Sequence, residues 1–84
     1  MTRPLGSVQA VRIRMPAGSK YVDRPLRETR ARSRTGASIV AVQRGEEAIA
    51  SPGPGFVFRA DDVVVAVGHE DGLGELRTLL ARTG

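Results

Sequence analysis

The sequence predicts a small α+β domain of the order β-α-β-β-β-α, with helices packed on a mixed sheet and two copies related as a two-fold dimer. Three patterns predict the elements. Val11, Ile13 and Met15 alternate with Arg12 and Arg14, the period of a half-buried strand. Ala37 to Val42 is a continuous apolar run rich in β-branched residues. Leu73, Leu76, Leu79 and Leu80 fall at helical spacing. The dimer follows from the core: 84 residues hold three aromatics and no Trp, and a chain this short buries only roughly 60% of its unfolded surface. A core of Val, Ile, Leu and Ala is then completed by association.

Taken in order, residues 1–6 with Pro4 and Gly6 read as a flexible leader, and residues 7–82 as a single domain. Val8 to Met15 is the first strand, with Ala10 beside Val11 breaking the alternation and marking a bulge or a change of face. Pro16 to Ser19 is a turn. Asp23-Arg24-Pro25 resembles a helix start, Asp23 as the cap and proline in the first turn, with the helix running to about Arg32. Gly36 opens the apolar run, which reads as a strand buried on both faces. Gly45-Glu46-Glu47 turns the chain into a short return strand, Ala48 to Ala50. Pro52 to Gly55 forces a loop, after which Phe56 and Phe58 point one way from a brief extended segment. Val63 to Val67 is a wholly apolar strand, and Gly68 to Gly72 leads into the leucine helix.

Composition excludes several classes of function. Without cysteine there is neither a disulfide nor a thiolate metal site. No apolar run approaches the roughly 20 residues that span a bilayer, so direct membrane insertion is not expected. The formal charge of +4 hides an asymmetry. Residues 1–44 carry ten basic and two acidic side chains, residues 45–84 three and seven. Twelve of the thirteen basic residues are arginine, which suits bidentate phosphate or carboxylate recognition and equally fits a GC-rich genome. The segment with Arg24, Arg27, Arg30, Arg32 and Arg34 reads as a solvated helix face, a docking face for an acidic partner, or a phosphate-backbone contact. No aromatics are interleaved for stacking, so nucleic acid is the weaker partner.

The chemistry of catalysis is missing. Ser33, Ser38 and Ser51 have no base to activate them, since His69 is the sole histidine. His69, Glu70 and Asp71 are consecutive and do not converge on one ion. As a helix start they favour the N-terminal dipole instead. No catalytic residue, metal site or resident cofactor is expected, and the chain is not expected to be an enzyme.

The order of motifs resembles a known family. A short helix, then "GASIVAVQRG", a hairpin returning to "SPGPGFVF", then "RADDVVVAVGHED" and a leucine helix is similar to the TrkA-C, or RCK C-terminal (RCK_C), domain. Ile39 to Gly45 matches the family's first strand with its arginine, Pro52 its proline, and Asp62 with Val63 to Gly68 its "gD" strand. Asp61 stands where the family usually has glycine. The resemblance implies a non-catalytic, cytoplasmic ligand-sensing module, working as a homodimer. Its partner would be a potassium channel, a potassium uptake system or a cation/proton antiporter. Its ligand would be a small anionic nucleotide such as cyclic di-AMP, bound across the dimer interface. The residues matched to that site are Arg44 for a phosphate, Ile39 and Val40 for a wall against the base, and the backbone near Ala50, Ser51 and Pro52 to close the pocket. For Arg44 a solvated side chain paired with Glu46 or Glu47 stays open, and for Ile39 and Val40 plain core. Ala48, Ile49 and Ala50 offer no amide or imidazole for base recognition. The alternative function is a basic, nucleic-acid-associated or general protein-interaction module.

Overall fold

Strands β1 (Val8–Arg14), β2 (Ser38–Arg44), β3 (Glu47–Ala50) and β4 (Val63–His69) form one sheet in the order β1-β4-β2-β3. The computed structural model describes residues 8–84; the expected leader, residues 1–6, lies outside them. The sequence predicts a mixed sheet, but every pairing is antiparallel. The cause is the position of β4. It inserts between β1 and β2, which run in the same direction, so no parallel pair forms. The remaining elements are a 3₁₀ turn (Leu26–Thr29), helix α1 (Ala31–Thr35) and helix α2 (Glu70–Leu80).

Register decides which side chains are core. Ile13 and Val42 both lie opposite Val64, and Val11 and Ile39 opposite Ala66. Ile13, Val42, Val64 and Ala66 are buried, together with Met15, Phe58 and the four leucines of α2. The leucine stripe is therefore core, and Leu76 is 0% exposed. Leu76→Ala is expected to lower stability by about 2–5 kcal/mol. A thermal melt that does not move would mean that α2 does not pack on the sheet.

The expectation of strands buried on both faces is corrected. Along β4 only Val64 and Ala66 are buried, while Val63, Val65 and Val67 on the opposite face are half-buried. In β2 only Val42 is fully buried, and Val40 is 40% exposed. One face of the sheet is covered by the helices and the other is not. The expected irregularity at Ala10 is likewise absent, because β1 pairs with β4 without a shift. The bulge lies between Ile39 and Ala41 instead, leaving Val40 as the extra residue.

The helix expected from Pro25 to Arg32 is two shorter pieces. Asp23 has φ +67 and is not a cap. The Thr29 hydroxyl donates to the Leu26 carbonyl and accepts from the Ala31 N–H, so it replaces the helical ladder with local bonds. Arg30, in the left-handed region at φ +49, joins the two pieces. At the other end, α2 starts at Glu70, earlier than expected, with Glu70 and Asp71 in its first turn. Gly72 lies inside it because a Cβ there would stand 2.5 Å from the Thr35 carbonyl oxygen. α2 can cross α1 this closely only at glycine.

The segment after the Pro-Gly loop is tied to the 3₁₀ turn by backbone bonds, Leu26 N to Phe56 O at 2.7 Å and Asp23 N to Phe58 O at 2.8 Å. These bonds make one isolated bridge, Pro25 to Val57, and not a strand of the sheet. Beyond α2, Lys20 N donates to Arg82 O (2.7 Å) and Ser19 bridges Thr83, so ordered pairing extends past the expected domain end at residue 82.

Candidate ligand site

The expected site residues divide into two groups. Ala41 pairs with Ala50, and Ser51 N donates to Val40 O at 2.9 Å across the bulge. That brings Ile39, Val40, Ala50, Ser51 and the adjoining Pro52 to one end of the β2–β3 hairpin. Ile39 is half-buried and packs against the core, as the plain-core alternative has it. Val40, Ala50 and Ser51 are exposed and Pro52 half-buried. Ser51 takes φ +48, where the edge strand ends and the chain leaves the sheet. Ala48 and Ala50 give this edge no polar side chain, so only backbone groups and the Ser51 hydroxyl can hydrogen-bond a ligand there.

Arg44 lies at the other end. Five residues separate it from Ile39, roughly 16 Å along a strand at about 3.3 Å per residue. Its partner is neither Glu46 nor Glu47. The register Gln43↔Val63 places it beside Asp62, to which Nε and Nη2 donate at 2.9 and 2.8 Å. Nη2 also donates to the Val57 carbonyl at 2.9 Å, and the guanidinium sits 5.0 Å from the Phe56 ring centroid. Phe56 in turn meets Phe58 edge-on, centroids 5.6 Å apart. The Arg44 side chain is 31% exposed and that of Asp62 1%.

This bidentate pair is a charge-assisted clamp. Burial pushes the Asp62 carboxyl up, but the Arg44 hydrogen bonds, the Arg59 N–H and the charges of Arg44 and Arg59 outweigh it. The carboxyl is left below its ordinary range. The Arg44 guanidinium is raised, first by its bond to Asp62. Arg44 thus holds together the end of β2, the Phe56–Phe58 segment and the turn into β4. The pair was findable in the sequence only as two charges flanking apolar runs. The β2–β4 register that joins them is a tertiary fact.

The glycine departure noted in the sequence has a structural cause. Asp61 has φ +69, the left-handed region that glycine enters freely and aspartate tolerates. Its carboxylate also accepts from Arg14 Nε and Nη2 at 3.1 and 2.6 Å, an exposed pair worth little. His69, Glu70 and Asp71 sit at the β4–α2 junction. No group of three potential metal ligands converges among the described residues, and no helix there is long and apolar enough to cross a membrane.

Comparison with known proteins places these features in context. The TrkA-C domain profile matches residues 10–81. Potassium channel protein 1 of Methanocaldococcus jannaschii is 36% identical over 62% of this chain, and Probable potassium channel protein 2 of the same organism 31% over 76%. The chain spans only 16% and 19% of those two proteins. Among solved structures, the RCK_C domain dimer of S. agalactiae BusR in complex with c-di-AMP superposes with a TM-score of 0.79. It is 29% identical, with 89% of this chain and 93% of that one covered. The KtrA RCK C domain in complex with cyclic diadenosine monophosphate gives 0.77 at 25% identity, over 87% and 84%. A BusR complex with its promotor DNA matches at 0.79 and 26%, with 95% of this chain but only 38% of that one covered.

Proposed function

Because the chain belongs to the TrkA-C (RCK_C) domain family, we propose that it is the ligand-sensing, non-catalytic regulatory module of a potassium channel, potassium uptake system or cation/proton antiporter. It works on the cytoplasmic side of the membrane as a homodimer, with a cyclic dinucleotide, cyclic di-AMP first, held between the two copies. The observation that carries this reading is the match over nearly the whole domain to two RCK_C domains solved with that nucleotide.

The sheet supports the dimer. Val63, Val65, Val67 and Ala41 lie on the face that no helix covers, and a second copy removes that apolar surface from water. The split site supports binding across the axis. Ile39 and Arg44 lie toward opposite ends of β2, so each copy offers a ligand held between the two copies separate contact points. Ile39, Val40 and Pro52 supply apolar wall, the Ala50 and Ser51 backbone the hydrogen bonds. Arg44 reaches a phosphate only through Nη1, since Asp62 and Val57 hold its other donors. Ligand binding shifts the transporter by as much as its affinities for the two dimer arrangements differ.

The nucleic-acid alternative lacks stacking aromatics: Phe58 is buried and Phe56 lies under Arg44. Calorimetric titration with cyclic di-AMP, cyclic di-GMP and linear dinucleotides tests the proposal. Saturable heat with cyclic di-AMP at one ligand per two chains is expected. A flat titration with every nucleotide would remove the ligand and leave the effector to be found.

A further inference from the structure

The arginines of residues 24–34 are not equivalent. Arg24 is held by Glu28 at 2.6 Å, whereas Arg27, Arg30 and Arg32 form no salt bridge among the described residues. All three border one groove of roughly 690 Å³, cut between the 3₁₀ turn, α1, the start of β2 and Pro54. Its lining is largely apolar, with Leu26, Ile39 and Pro54 reaching solvent and Ala31 and Ala37 buried beneath. Ser33 and Ser38 also line it, the Ser33 hydroxyl donating to the Arg30 carbonyl at 3.2 Å.

Three like charges around one depression repel each other while it is empty, and an anion seated among them relieves that repulsion. Like small-molecule sites, the groove pairs an apolar lining with a few polar groups. The backbone is unusual at the same place: Arg30 sits at φ +49, a conformation that non-glycine residues adopt rarely and that gathers at ligand clamps. The groove is also braced from behind, with Arg27 N bonded to Pro54 O at 3.0 Å.

We infer that this groove binds a nucleotide phosphate, with Arg27, Arg30 and Arg32 around the phosphate and the base lying on Leu26 and Pro54. The site is complete within one protomer and goes beyond the proposed dimer-interface site, needing neither a second copy nor a cyclic ligand. A single flat group fits the floor, and no aromatic platform continues along it for a strand of successive bases.

The test is amide chemical-shift mapping of the whole labelled chain, titrated separately with AMP and with cyclic di-AMP. A nucleotide in the groove moves the amides of residues 26–33 saturably. In a chain carrying Arg27→Gln, Arg30→Gln and Arg32→Gln together, affinity falls about a thousandfold, at about tenfold for each lost charge-assisted bond. The corresponding triple lysine variant recovers part of it, because charge survives without the fork. The spectrum of each variant shows directly whether it is folded. Should AMP move the groove amides while cyclic di-AMP moves nothing, the groove stands and the cyclic-dinucleotide reading falls. Should cyclic di-AMP move only Ile39, Val40, Arg44 and residues 50–52 while AMP leaves residues 26–33 unmoved, that reading stands and the groove is not a site. Groove shifts that persist undiminished in the glutamine variant would also overturn the inference.

Discussion

Arg44→Ala is expected to destabilise the domain by about 3 kcal/mol, the lower end of the cost of removing one partner from a buried ion pair. Asp62 is 1% exposed and would keep only the Arg59 N–H. The lower end applies because Arg44 itself is 31% exposed and water can partly fill the space it leaves. The same pair makes stability pH-dependent. The folded Asp62 carboxyl lies below its ordinary value, so the pair's contribution is fully present above the unfolded aspartate value of about 3.9. It is lost as pH falls through the lower folded value. Chemical denaturation at neutral and at acid pH therefore shows an acid decline in the parent chain that is smaller in Asp62→Asn. An Arg44→Ala chain that unfolds at the same denaturant concentration as the parent would mean that the clamp contributes nothing. Because of this cost, any loss of nucleotide binding in that variant counts only once the protein is shown to be folded at the titration temperature.

Phe58→Ala is expected to cost about 3–5 kcal/mol, although the residue belongs to no named strand or helix. Its side chain is 0% exposed, meets Phe56 edge-on, and is fixed by backbone bonds to Asp23 and Arg24 on both sides. With three aromatics in the chain, it supplies one of the largest fully buried side chains. A urea midpoint lowered by less than about 1 kcal/mol equivalent would show that the segment is a surface loop.

These two residues also mark where the sequence is legible. The strand alternation in Val11, Ile13 and Met15 and the stripe in Leu73, Leu76, Leu79 and Leu80 carry their own period, and the structure buries Ile13, Met15 and all four leucines. Apolar runs do not carry a period. Val63 to Val67 reads as buried on both faces, yet coverage depends on which face the helices occupy, and a protomer covers one. The helix at residues 25–32 fails for a local reason, the Thr29 side chain competing for the Ala31 N–H. A threonine in a run of arginines gives little warning of it. The hairpin that gathers Ile39, Val40, Ala50, Ser51 and Pro52 at one end is legible from its tight turn, while their part in a site rests on the family resemblance. The engagement of Arg44 with Asp62 was not, because the two are eighteen residues apart and joined only by the β2–β4 register. The groove arginines were visible as a basic run. That three of them share one depression needed the αL turn at Arg30.

The most direct test of the central claim is sedimentation velocity of the chain with cyclic di-AMP, followed at a wavelength where the ligand absorbs strongly and the protein, with one tyrosine and no tryptophan, only weakly. The account predicts a dimer at micromolar concentration that carries one nucleotide per two chains at its own sedimentation rate. A folded monomer, with the nucleotide sedimenting freely beside it, would contradict it.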